Sequence, residues 1–69
     1  MNNTQDRDRL ALSRLLQEAK PSVEPLYPDQ QKQWLEGSPL AQEISALLAK
    51  HPEYYAEIET QVGHIFPKP

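Results

Sequence analysis

The chain reads as an all-α protein, a small bundle or orthogonal array of three to four short helices with a Pro-rich spacer after the first. Three features carry that reading. Leucine, isoleucine and alanine recur at steps of three and four through most of the 69 residues, the spacing that aligns apolar side chains on one face of a helix. The periodic stretches are punctuated by Ser38-Pro39, His51-Pro52, Gly37 and Gly63, which are start and stop signals for helices. No stretch alternates apolar and polar residues convincingly, so no strand is expected.

Residues 1–3 are polar and read as a frayed lead, after which Asn3 or Thr4 is suited to cap a helix over 4–20. Asp6 and Asp8 near its start and Lys20 at its end match the helix macrodipole. Leu12, Leu15, Leu16 and Ala19 form its apolar stripe, with Arg7, Arg9, Arg14 and Glu18 on the remaining faces. A helix of about 17 residues is marginal alone. Its stripe needs a partner surface, which is either the later helices or the same stripe of a second copy, and the second is favoured here because three prolines follow. Those prolines lie in 21–28, PSVEPLYP. The segment is expected to be extended, a stiff spacer spanning roughly 25 Å at the polyproline rise.

Asp29 is then expected to cap a short helix through Glu36, pinned by Trp34 and ended by Gly37. Ser38-Pro39 opens a stronger one over 39–50, with Leu40, Ile44, Leu47 and Leu48 on one face. Pro52 disfavours helix at His51 and restarts it, giving a fourth helix over 52–62 with Tyr55, Ile58 and Val62 inward. Gly63 ends it in a left-handed conformation, letting Ile65 or Phe66 fold back before the tail at 63–69. The whole is one small domain.

A chain this short buries only about 60% of its unfolded surface, and small domains often add disulfides, metals or self-association. There is no cysteine, which removes disulfides, thiolate metal sites and cysteine nucleophiles. No apolar run approaches the ~20 residues that span a bilayer, and MNNTQDRDR does not resemble a signal peptide. A cytoplasmic protein without membrane contact is expected.

The residues with chemistry form no catalytic pattern. His51 and His64 are 13 apart and lack the spacing of a paired metal site; they read as turn and surface residues. Glu53 and Glu57 sit one turn apart on what reads as a solvated face, and no serine lies in a nucleophile elbow. Neither glycine belongs to a phosphate-cradling loop. No cofactor, metal or catalytic residue is expected. Two classes of function remain. Trp34, Tyr27, Tyr54 and Tyr55 are interface-forming side chains, and with Leu12, Leu15 and Leu16 they point to a non-catalytic protein-binding module, an adaptor, inhibitor or accessory subunit, as a homodimer. The alternative is a nucleic-acid-associated regulator. Its contacts would be Arg7, Arg9 and Arg14, since the helix after Pro52 carries three glutamates and no basic residue.

Overall fold

A computed structural model of the chain describes residues 3–69; Met1 and Asn2, most of the expected frayed lead, lie outside it. Four helices follow one another: α1 (Asn3–Val23), α2 (Pro28–Gly37), α3 (Pro39–Lys50) and α4 (Tyr55–Val62), with a 3₁₀ turn over Pro52–Tyr54 leading into α4. Among the described residues there is no strand. The fold is a small all-α bundle.

The first helix organises it. Leu12, Leu16, Ala19 and Val23 recur at steps of four, three and four and are all buried. Leu12, Leu16 and Ala19 join Ala41, Ile44 and Leu48 of α3, Tyr54 of the 3₁₀ turn, Ile58 of α4 and Phe66 of the tail in one core. A fully buried leucine or isoleucine contributes about 1.5–3 kcal/mol, so this cluster is what holds α1 to α3 and α4. It also corrects the expectation of a helix-1 dimer seam. Leu12 and Leu16 are 0% and 3% exposed within a single chain, so neither is open to a partner.

The spacer is shorter than its prolines suggest. The helix runs through Pro21 to Val23, three residues beyond the expected end at Lys20, and the connection that remains over 24–27 is a tight turn, closed by the Leu26 N–H on the Val23 carbonyl, and the extended Tyr27. A proline inside a helix removes the hydrogen bond to the carbonyl four residues back and crowds it. Packing outweighs that local cost, because ending the helix at Lys20 would take Val23, which is 2% exposed, out of its buried position. The final bond, from the Glu24 N–H to the Lys20 carbonyl at 3.0 Å, is intact.

The remaining junctions are compact. Tyr27, not Asp29, is the N-cap of α2, with Pro28 at its first position; the Gln30 side chain reaches back to accept from the Tyr27 N–H at 2.9 Å. Ser38, extended at φ −85° and ψ 129°, serves as both the end of α2 and the N-cap of α3. Its backbone turns the chain, while its hydroxyl makes no capping bond. His51 breaks α3 at φ −132°, ψ 80°. Gly63 has φ +83° and ψ −161°, a region essentially restricted to glycine and different from the left-handed helical one expected. It swings the tail back, so that Phe66 is buried with its ring edge-on to Trp34 at 6.0 Å.

Replacing Pro21 restores a backbone donor in the last turns of α1. The variant Pro21→Ala is expected to be more stable by about 1 kcal/mol, the helix penalty of proline offset partly by a more flexible unfolded chain. Urea denaturation measures it; a loss of stability would show that the proline is well tolerated where it stands.

Candidate functional site

Two arrangements on the surface bring chemistry or apolar area together, and both lie where α1 meets α3. The first is a polar clamp. Asp8 Oδ2 is 2.8 Å from His51 Nε2 and 3.1 Å from Lys50 Nζ. The His51 ring is stacked on Tyr54, with centroids 4.6 Å apart and planes at 26°, and its Nδ1 faces Glu53 Oε1 at 3.8 Å. The imidazole is thus half-buried between carboxylates on two elements. Sequence reasoning placed His51 correctly in the inter-helix turn but missed its inward role; the signal was only that Asp8 begins the register of the buried stripe four residues before Leu12.

The clamp perturbs two groups in opposite directions. His51 first and Lys50 second hold the Asp8 carboxyl below its ordinary 3.8, by hydrogen bonds that favour the charged form. The Tyr54 phenol is raised above its ordinary 10.0, by burial first and then by the negative charge of Asp8. The Tyr54 hydroxyl oxygen is buried without a hydrogen-bond partner among the described residues. So is Oε2 of Glu57, which faces Ser13, Gln17 and Gln61 in a recess of about 100 Å³ between α1 and α4. The face of α4 is therefore less uniformly solvated than the sequence implied. His64 is exposed and pairs with Glu59 at 2.8 Å.

The second arrangement is a groove of about 460 Å³ beside the clamp, lined by Ala11 and Leu15 of α1 and by Glu43, Ala46, Leu47 and Lys50 of α3. Its floor is apolar and its ends are charged. Its charged lining is Glu43 and Lys50 of α3; Arg7, Arg14 and Glu18 fall on the same side of α1 by helical position.

The expected binding residues divide between surface and interior. Leu15 lines the groove, and Tyr27 is 72% exposed. Trp34 and Tyr55 pack at the margin of the core. Tyr54, at 2% exposed, belongs inside and is corrected with Leu12 and Leu16: adjacent helical residues point about 100° apart, and it is Tyr54 that takes the inward direction. Sequence reasoning overlooked Ala11, Ala46 and Leu47 as surface, because alanines read as helix filler and Leu47 as core. The three arginines do not share a face. Arg7 and Arg14 lie about 20° apart around α1, whereas Arg9 is about 160° from Arg7.

Among the described residues there is no group of three or more candidate metal ligands, and no helix long and apolar enough to cross a membrane. The sequence matches no protein-family model, and neither a curated protein nor a solved structure shows significant similarity to the chain.

The perturbed groups define two pH limbs. The unfolded Asp8 takes up its proton near 3.8 and the folded one only further into acid. Its contribution is present above that value and is lost as pH falls through the lowered one. Tyr54 runs the other way: its contribution is complete below 10.0 and is lost as pH rises through the raised value. Asp8→Asn should flatten the acid limb of a stability-against-pH curve. Tyr54→Phe should flatten the alkaline limb with little loss at neutral pH, since it removes a buried hydroxyl that has no partner. Thermal melts from pH 2 to 12 test both, and unchanged limbs would contradict the assignments.

Proposed function

We propose that this chain is a non-catalytic cytoplasmic interaction module, an adaptor, inhibitor or accessory subunit, and that it self-associates across the groove between α1 and α3. The observation that carries the reading is the groove itself, an apolar floor of Ala11, Leu15, Ala46 and Leu47 left open beside a closed core. Two helices side by side with an open apolar seam are half of a four-helix arrangement, and a second copy supplies the other half. The rim favours the same occupant. Its charged lining residues, Glu43 and Lys50, balance, so apposing two copies brings no net charge together there, although the whole chain carries −3.

The non-catalytic part of the reading rests on how the reactive side chains are engaged. Asp8 is held by His51 and Lys50, and His64 is paired with Glu59. These contacts tie helices and turns together. The nucleic-acid reading loses support because Arg9 points away from Arg7 and Arg14, leaving two arginines on an edge where Glu18 also lies.

Sedimentation equilibrium of the native chain is expected to show a monomer–dimer equilibrium, and Ala46→Arg, on an exposed helical position of the groove, should abolish the dimer with helical content unchanged. As the chain has no cysteine, Ala46→Cys should cross-link under mild oxidation while Ala56→Cys, on the exposed side of α4, should not. A native chain that stays monomeric at millimolar concentration would contradict self-association.

A further inference from the structure

The charges along the open face are ordered as well as balanced. On α3, Glu43 stands three residues before Ala46 and Lys50 three after Leu47, so acid and base sit at opposite ends of the apolar floor, about 20° apart around the helix. On α1, Arg7 stands four residues before Ala11 and Glu18 three after Leu15. These two also lie about 20° apart around their helix, and within about 40° of Ala11. All four charged side chains are exposed. Among the described residues, Arg7, Glu18 and Glu43 make no ion pair, and Lys50 pairs with Asp8 alone.

Such a pattern is complementary to itself under one operation. In a two-fold dimer each contact occurs twice with the partners exchanged. An axis laid across both helices, passing between Ala46 and Leu47, sets α3 antiparallel on the α3 of the other copy, and Glu43 of each then faces Lys50 of the other. The same axis serves α1. Asp8 is level with Lys50, and the helices run in opposite senses, since Ala11 and Leu15 line the groove with α3 residues that precede Lys50. Four residues inward from that contact the axis meets α1 at Leu12, within one residue of the point halfway from Arg7 to Glu18. Arg7 of each copy therefore faces Glu18 of the other, and Ala11 meets Leu15. A two-fold axis laid along the helices instead stacks α3 on the other copy's α1 and keeps Glu43 and Lys50 apart.

We propose, resting on the self-association read from the groove, that two copies pair antiparallel, α1 on α1 and α3 on α3, with Glu43–Lys50 and Arg7–Glu18 pairs across the seam fixing the orientation. The apolar floor holds the copies together. The charges select the register, because a slip of one helical turn separates every pair.

Sedimentation equilibrium at about 20 mM salt, where exposed charges are little screened, tests it. Arg7→Glu and Glu18→Arg each oppose like charges twice in the dimer, and each is expected to weaken association about tenfold. Glu43→Lys should do the same on α3. The double variant Arg7→Glu with Glu18→Arg should return to within about threefold of the native constant, as should an equimolar mixture of the two single variants. Because these side chains are exposed, helical content is expected to stay unchanged in every variant. Single variants that dimerise as the native chain does, or a double variant as weak as the single ones, would overturn the antiparallel pairing and leave self-association standing; a native chain that stays monomeric removes both.

Discussion

The structure depends on one contact surface, the buried stripe of α1 against α3 and α4. Leu12, Leu16 and Ala19 meet Ile44, Leu48 and Ile58 across it, and no disulfide supplements the apolar contact. The later features follow from it. Because α1 is seated by these side chains, Asp8 is carried one turn before Leu12 to the end of α3, where His51 and Lys50 receive it. Because Val23 continues the stripe, the helix is drawn through Pro21 and the connection to α2 shrinks to a tight turn.

The same surface explains what is left outside. A helix buries one face, and the residues flanking that face on α1 and α3 pack only partly. Ala11 and Leu15 on one side and Ala46 and Leu47 on the other are the margin of the core turned outward, which is why an apolar groove borders a well-packed interior. The clamp of Asp8, Lys50 and His51 closes the end of that groove. Stability and surface are coupled there: the residues that tie α1 down also shape the rim that a second copy would meet.

Much of the fold was legible from local signals. Ser38-Pro39 and Lys50 bounded α3 at the expected residues, and Gly63 ended α4; Gly37, expected to stop α2 after Glu36, is instead its last helical residue, and Ser38 caps it. What local signals did not carry was competition with packing. Pro21 read as a helix end, and burial of Val23 overrode it. Leu12 and Leu16 read equally well as core or as seam, since periodicity reports which residues share a face and not what covers that face. His51 read as a turn residue because its partner lies 43 positions earlier, beyond any helical spacing. The candidate site was less legible than the fold for the same reason: an open groove is defined by which apolar residues fail to be covered, and that is decided by the angle between helices and not by composition.

The central claim is that α1 is an integral part of one cooperative core and not a detachable arm. Native-state hydrogen exchange tests it most directly. The account predicts that amides around Leu12 and Leu16 exchange with the same opening free energy as those around Ile44 and Ile58, all reporting global unfolding. Exchange in α1 much faster than in α3 and α4, through a separate opening, would contradict it.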